Sequence, residues 1–149
     1  KLETPHVVSY KEDIIATINQ GRAGNMPPMA AALGTSEDVR NVANYVLSLS
    51  GSPHNSVAAQ LGRAKFVACA ACHGANGKGN AALGAPNLTD GIWLFGSSEA
   101  SIIEGITKGR NVNVSEGTLA MPTFKETLGP EKIHLVAAYV WGLSNKPAK

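Results

Sequence analysis

Cysteine and aromatic residues are scarce in this sequence of 149 residues. The two cysteines both lie at residues 69–73, in the motif Cys-Ala-Ala-Cys-His, so the framework of several disulfide bonds that supports many small extracellular domains is excluded. Aromatic residues make up only 5% of the chain, which is little for the hydrophobic core of one or two small domains. We therefore expect a bound apolar group to supply part of the core.

Strong net charge and long apolar runs are also missing. The formal net charge is +2, which is too small to favour binding to nucleic acid. The longest apolar run, Val136 to Leu143, is far shorter than the roughly 20 residues of a membrane-spanning helix, so we expect membrane attachment only through a segment that this sequence does not contain. The chain starts at Lys1 without a signal-peptide pattern, and we expect a fragment or a processed product.

Helical periodicity runs through the sequence, whereas the alternation typical of strands is missing, and this predicts an all-α fold. The 16 glycines and 8 prolines predict long loops between the helices. The predicted helices are Tyr10–Gln20, a helix that Ser36 caps, a helix from Ser56 into the cysteine motif, Glu99–Lys108 capped by Ser98, and Glu131–Ser144. The predicted loops are Arg22–Ala32, Ala75–Asp90 and Arg110–Leu128.

Two parts of the sequence are copies of one pattern. IIATINQGR at residues 14–22 matches IIEGITKGR at residues 102–110, and VANYVLSLS at residues 42–50 matches VAAYVWGLS at residues 136–144. Between them, MPPMAAALG matches MPTFKETLG and pairs Met26 with Met121. The repeat predicts one complete unit, residues 52–149, and the back half of another, residues 1–51, which lacks its own cysteine motif.

The Cys-x-x-Cys-His spacing at residues 69–73 is the attachment signature of a c-type haem. Thiols of Cys69 and Cys72, three residues apart on a helix, lie about one turn apart and can bond both vinyl groups at one edge of a porphyrin. His73 then lies under the iron as its proximal ligand. Half of a zinc site, a thioredoxin-like pair and a simple disulfide are the alternatives, but no second cysteine pair, ligand-spaced histidines or βαβ pattern supports the first two.

Met121 is the leading candidate for the ligand on the opposite face of the haem. It lies in a predicted loop downstream of His73, and Pro122 restricts the backbone beside it. A thioether ligand favours ferrous iron and raises the reduction potential, and a filled sixth position excludes O₂ and peroxide. The His/Met pair therefore predicts an electron relay and not a catalyst, whereas a core methionine is the alternative role of Met121.

Met26 has the same sequence surroundings as Met121, and three interpretations stay open. It binds a second haem whose attachment segment is missing from this sequence, or it has no ligand role. In the third interpretation, Met26 crosses over to the haem held by Cys69 and Cys72, while Met121 serves the other haem.

Two further residues have predicted roles around the haem. Pro86 is expected to aim its carbonyl at the second ring nitrogen of His73, which would fix the orientation of the ring. An ordinary loop proline is the alternative. Arg110, directly after the helix stop at Gly109, is a candidate partner for a haem propionate, and a solvated arginine is the alternative.

A close helix crossing is also predicted. Gly62 and Phe66 precede the cysteine motif on one helix, and Tyr139 lies on the last helix. A small residue and an aromatic residue on one helix, facing an aromatic residue on the other, would let the two helices pack closely. This role concerns packing and not chemistry.

The strings CAACHGANGKG, PNLTDGIWLFG, GRAGNMPPMAAALG, VANYVLSLSG and LAMPTFKETLG together resemble the dihaem cytochrome c subunit of cbb₃-type cytochrome c oxidases. The resemblance covers nearly all of the chain after about Ile14. It implies two tandem class I cytochrome c domains on a membrane anchor, which pass electrons to the subunit that reduces O₂. It also implies that Cys69 and Cys72 bear haem, that His73 is an axial ligand, and that Met26 and Met121 are axial methionine ligands.

These observations predict an all-α class I cytochrome c fold with one covalently bound haem c, and a second haem if the missing segment exists. The expected function is electron transfer to a cbb₃-type oxidase on the periplasmic side of the bacterial inner membrane, without catalysis by this chain. Expected partners are the other oxidase subunits and a donor cytochrome c or quinol-oxidising complex. The alternatives are a free periplasmic electron shuttle and a peroxidase-like haem enzyme, and a missing distal His or Arg constellation argues against the enzyme.

Overall fold

The computed structural model describes residues 11–111 and 121–145, and its regular structure in these ranges is helical. The all-α prediction is confirmed: isolated bridges occur in the described residues, but no strand does. None of the helices described combines the length and the apolar character needed to cross a bilayer. The helices are α1 (Lys11–Gln20), α2 (Ala30–Leu33), α3 (Ser36–Leu49), α4 (Ser56–Lys65), α5 (Val67–His73), α6 (Glu99–Lys108) and α7 (Lys125–Ser144), with a 3₁₀ turn at Ala81–Leu83.

Side-chain caps define the N-terminal ends of α3, α4 and α6. Ser98 caps α6 as predicted, because its side chain accepts a hydrogen bond from the Ser101 N–H. The cap of α3 is Thr35 and not Ser36: the Thr35 hydroxyl accepts from the Asp38 N–H, and the Asp38 carboxylate accepts from the Thr35 N–H. This reciprocal capping box satisfies two backbone donors at once, which a cap one residue later would not do.

The predicted loop Arg110–Leu128 is too long at its C-terminal end. Helix α7 begins at Lys125, and its kink lies at Gly129, where φ is 72° and Pro130 follows. Proline inside a helix removes a backbone donor and displaces the preceding turn, so the sequence pattern marks the kink and not the first residue of the helix.

The described residues form two compact units, and the second is discontinuous in sequence. The first unit comprises residues 24–111 and contains α2 to α6, whereas the second comprises residues 11–23 and 121–145 and contains α1 and α7. The predicted boundary between residues 51 and 52 follows the sequence repeat. Each compact unit combines helices from both copies of the repeat, and the division at residues 51 and 52 stays a prediction.

The first unit is organised by the packing of α3 on α4 and α6. The apolar stripe predicted on α3 is buried, and it joins Leu33, Phe66, Cys69 and Ile106 in one core. Helices α3 and α4 approach so closely that a Cβ atom on Gly62 would collide with the Asn41 carbonyl group.

The aromatic partner of Phe66 corrects the predicted crossing. Tyr45 of α3 stacks edge-on against Phe66, with ring centroids 5.1 Å apart and an interplanar angle of 64°. The predicted partner, Tyr139, is 70% exposed. Tyr45 and Tyr139 are equivalent in the repeat, so the sequence pattern could not show which of the two tyrosines packs against Phe66.

The second unit has a smaller core between α1 and α7. Ile14 and Ile18 of α1 are buried against Ile133 and Ala137 of α7. The side chains that complete this core are partly buried: Ile15, Phe124, Leu128 and Trp141.

The close crossing of α3 and α4 predicts a steric penalty for any side chain at Gly62. Gly62→Ala should lower the free energy of unfolding by about 1–3 kcal/mol, because the new Cβ forces the Asn41 backbone away. Urea denaturation followed by circular dichroism measures the change. Gly91→Ala is the matched control, since nothing lies within 4 Å of a Cβ at Gly91, and it should change the value by less than about 0.5 kcal/mol. Equal effects of the two variants would contradict the close approach.

The capping box of α3 predicts a pH dependence of stability. The Thr35 N–H and the Lys65 ammonium group, 3.0 Å away, lower the pKa of Asp38 from 3.8 to about 2. Because the folded-state pKa is depressed, this stabilisation is complete above about pH 4 and is lost as the pH falls toward 2.

Asp38→Asn should therefore reduce stability at pH 7 and flatten its pH dependence between pH 4 and 2, measured by urea unfolding at each pH. Glu37→Gln removes a carboxylate from the same first turn but leaves the capping box intact. An identical pH profile for Asp38→Asn and the unaltered chain would refute this role of Asp38.

Candidate haem site

Helix α5 carries two thiols and an imidazole near its C-terminal end. Cys69 and Cys72 are three residues apart on this helix, and both are free, with Cys69 buried and Cys72 exposed. Burial raises the pKa of the Cys69 thiol, and the neighbouring Cys72 acts in the same direction. Within residues 11–111 and 121–145, no group of three or more His, Cys, Asp or Glu side chains could hold a metal ion. The two thiols are thus not joined to each other in this structure.

His73 is buried, and one of its ring nitrogens is already engaged. Its Nδ1 lies 3.0 Å from the carbonyl oxygen of Pro86, which is the hydrogen bond that the sequence predicted. A carbonyl oxygen only accepts, so Nδ1 carries the proton and Nε2 keeps a free lone pair. Burial lowers the pKa of His73, although the bond to Pro86 acts in the opposite direction. The neutral tautomer that remains is the one that ligates a metal through Nε2.

The loop after α5 holds the Pro86 carbonyl in place. The Gly79 N–H donates to the His73 carbonyl at 2.7 Å, and Asn80 and Ala85 exchange two backbone hydrogen bonds of 2.9 and 3.0 Å. Gly79 has a φ of 82°, and a Cβ at this position would lie 2.6 Å from the Ala85 oxygen and 2.7 Å from the Pro86 carbonyl carbon. Sequence reasoning assigned no role to Gly79. The only signal was its place in a glycine-rich stretch after the motif.

Met26 lies in the same compact unit as His73. Its N–H donates to the Arg110 carbonyl at 3.0 Å, and the Arg110 N–H donates to the Met26 carbonyl at 2.8 Å. The side chain of Met26 packs against the core that contains Phe66 and Cys69. Both backbone polar groups of Met26, the N–H and the carbonyl, are thus hydrogen-bonded, and the residue lies beside the core that contains Cys69 of α5.

Met121 has the equivalent backbone pairing in the second unit. Arg22 and Met121 exchange two backbone hydrogen bonds, each 2.9 Å long. Arg22 and Arg110 are partners in the repeat, as are Met26 and Met121. Each methionine therefore pairs with the arginine from the other copy of the repeat. Met26 of the first copy pairs with Arg110 of the second, and Met121 of the second copy pairs with Arg22 of the first.

The side chain of Arg110 is engaged within the first unit. Its guanidinium donates to the Ser101 carbonyl at 2.9 Å, lies 3.7 Å from the Glu104 carboxylate and stacks over the ring of Phe95 at 4.7 Å. With only 22% of its side chain exposed, it is not a solvated arginine. The pairing of Arg110 with a haem propionate stays a prediction.

The residues of the first unit fit a covalently bound haem. Two free thiols on successive turns match the two vinyl groups, and the free Nε2 of a buried, oriented imidazole matches an axial position. The Met26 thioether belongs to the same unit and is a soft ligand suited to haem iron. These donor types are the set that a six-coordinate c-type haem requires.

Comparison with known proteins agrees with this chemistry. Residues 58–140 match the family model of cytochrome c oxidase, cbb3-type, subunit III. Similar curated proteins include the cbb3-type cytochrome c oxidase subunit CcoP of Rubrivivax gelatinosus, 57% identical over 133 residues, which is 89% of this chain and 41% of that protein. Subunit FixP of Azorhizobium caulinodans is 44% identical over 124 residues, 82% of this chain and 40% of that protein. The chain spans about two fifths of the length of these relatives.

The close contacts around Gly79 predict that a side chain at this position would disturb the orientation of the His73 ring. Gly79→Ala should push the Pro86 carbonyl away from Nδ1 and lower the free energy of unfolding by about 1–3 kcal/mol. Nuclear magnetic resonance of the ring Nδ1 proton should show faster exchange with water. Gly51→Ala shares the positive φ, 70°, but has nothing within 4 Å of its Cβ, so it separates backbone strain from the collision. Unchanged proton exchange in Gly79→Ala would show that this glycine does not support the hydrogen bond.

Proposed function

Because the chain belongs to the family of cbb3-type cytochrome c oxidase subunit III, we propose that it transfers single electrons through a haem c bound to its first compact unit. The observation that carries this proposal is the shared unit of the free thiols on α5, the buried His73 with a free Nε2, and the Met26 thioether. The relatives named as subunits of cbb3-type oxidases support the same reaction class.

Cys69 and Cys72 would hold the haem through their thiols, and His73 would offer Nε2 to the iron. When bound, the haem supplies an iron centre that changes its oxidation state by one electron. The Pro86 carbonyl keeps the proton of His73 on Nδ1 and fixes the plane of the ring, so the ligand needs no reorientation when the charge of the iron changes. Burial of the ring excludes water from this side of the site.

We assign the sixth ligand to Met26. Its support is membership of the same compact unit as His73, the two backbone hydrogen bonds to Arg110, and packing against the core that includes Cys69. Met121 is the candidate that sequence order favours, and its backbone is held equally well by Arg22 in the second unit. This equivalence supports a ligand role of Met121 toward a different haem.

With His73 and Met26 both engaged as ligands, the haem iron would have no position open to a substrate and would only exchange electrons. The chain is therefore an electron-carrying part of an oxidase, and O₂ reduction belongs to another subunit. Its partners are other oxidase subunits and a donor cytochrome c or quinol-oxidising complex, on the periplasmic side of the bacterial inner membrane. The names of the relatives, which are subunits of an oxidase complex, support the other oxidase subunits as partners.

Two alanine variants test the ligand set and the function together. Met26→Ala should remove the thioether–iron absorption band, admit carbon monoxide to the ferrous iron and lower the reduction potential by on the order of 0.1 V, within the roughly 0.8 V that axial ligands control. Met121→Ala is the matched control and should leave all three properties of this haem unchanged.

Haem content is measured in parallel by intact mass and a pyridine haemochrome assay, with one haem expected per chain. Loss of the band in Met121→Ala, but not in Met26→Ala, would show that Met121 and not Met26 is the sixth ligand. Rapid binding of carbon monoxide by the unaltered chain would favour the peroxidase-like alternative, and a chain without covalent haem would refute the proposal.

A further inference from the structure

The segment that carries Met26 hangs on α6 and on the residues directly after it. The N–H and the carbonyl of Met26 both pair with Arg110, and the Met29 N–H donates to the Ile106 carbonyl at 2.8 Å. Residues 25–29 are called the Met26 segment below. This segment can leave the core either by breaking its two bonds to Arg110 or by taking Arg110 with it. The second route is open only if the side chain of Arg110 is free to move.

The side chain of Arg110 is not free, because its guanidinium group has partners on three sides. These partners are the Ser101 carbonyl, the Glu104 carboxylate and the ring of Phe95. Ser101 lies nine residues earlier in the chain, so the side chain runs back along α6. A planar guanidinium group can donate from its edge and stack through its face at once, which an ammonium group cannot do.

Gly105 leaves the space that this side chain occupies. It is buried in α6, and a Cβ atom there would lie 3.1 Å from Nε and 3.4 Å from Nη2 of Arg110. Glycine inside a helix is less favourable than alanine, because it loses more conformational freedom on folding. Its position under the guanidinium group indicates that close packing of Arg110 offsets this cost.

The other copy of the repeat has the same arrangement with different chemistry. Thr17 of α1 is the equivalent of Gly105, and Arg22 is the equivalent of Arg110. The Nε of Arg22 donates to the hydroxyl of the buried Thr17 at 3.0 Å. In both copies, the arginine after the helix folds back onto the same helix position, while its backbone pairs with a methionine. The contact thus occurs twice, once through space left by glycine and once through a hydroxyl group.

We propose that the guanidinium group of Arg110 is a brace that keeps the Met26 segment closed, so that Arg110 is a positioning residue for the sixth ligand. The inference rests on the proposed ligation of the iron by Met26. A thioether favours ferrous iron, so its bond to ferric iron is the weaker one. Retention of Met26 in the ferric state then depends on contacts between protein groups alone, and the brace supplies them.

Amide hydrogen exchange of the haem-loaded ferrous chain tests the brace directly. Arg110→Gln should speed exchange of the Met26 N–H about tenfold, because loss of the side-chain contacts lets the segment open more often. Arg110→Lys should speed it nearly as much, since lysine keeps the charge but not the planar group. Lys108→Gln removes the other basic partner of Glu104 and is the matched control, which should leave the exchange unchanged.

A second variant displaces the guanidinium group without altering it, and it carries the test if Arg110→Gln does not fold. Gly105→Ala should speed exchange of the Met26 N–H about threefold, although alanine favours the helix itself. Gly142→Ala is the matched control, because nothing lies within 4 Å of a Cβ at this helical glycine, and it should have no such effect.

Replacement of the thioether on ferric iron by added imidazole tests the effect on the ligand. Arg110→Gln and Arg110→Lys should both raise the replacement rate about tenfold, followed as loss of the thioether–iron absorption band. A role of Arg110 through its charge on a haem propionate gives a different result. In that case Arg110→Lys would behave like the unaltered chain and only Arg110→Gln would differ, which would overturn the brace.

Unchanged exchange of the Met26 N–H in the Arg110 variants, or faster exchange without faster replacement, would also overturn the proposal. Met26→Ala separates this result from a failure of the proposed function. If Met26→Ala keeps the absorption band, the assigned ligand is wrong whatever the Arg110 variants show. If Met26→Ala loses the band and the Arg110 variants match the unaltered chain, the brace alone is wrong. A pyridine haemochrome assay confirms equal haem content in every sample.

Discussion

The close crossing of α3 and α4 is the constraint on which the first unit depends. Gly62 lets the two backbones approach at Asn41, and the edge-on contact of Tyr45 with Phe66 fills the space beside that point. Phe66 ends α4, and α5 with its two thiols follows directly. Because α3 follows α2 and the Met26 segment in sequence, the same crossing brings that segment into the unit that carries His73.

The candidate site gains its properties from burial combined with a few backbone contacts. The carbonyl of Pro86 selects the tautomer of His73, and burial keeps the imidazole neutral. Gly79 makes room for that carbonyl, and paired hydrogen bonds with Arg110 hold Met26. These contacts are formed by the backbone, so the side chains that surround them can vary without a change in the position of the donors.

Both copies of the repeat follow one packing plan, although each compact unit combines helices of the two. Helix α6 packs on α3 in the first unit, and its equivalent α1 packs on α7 in the second. Val42 and Val46 of α3 are buried, whereas their equivalents on α7, Val136 and Val140, are partly exposed.

The sequence by itself determined the all-α class, most helix positions and the one-turn spacing of the thiols, and it offered the bond between His73 and Pro86 as one of two roles for that proline, which the structure then showed. The first three features depend on residues a few positions apart, where periodicity and capping act directly. Tertiary structure decided that Tyr45 packs on Phe66, and that each methionine segment pairs with the arginine of the other copy. The physical reason is that α3 and α7 share one local pattern, so the choice between them depends on long-range contacts such as that of Asn44 with Asn55.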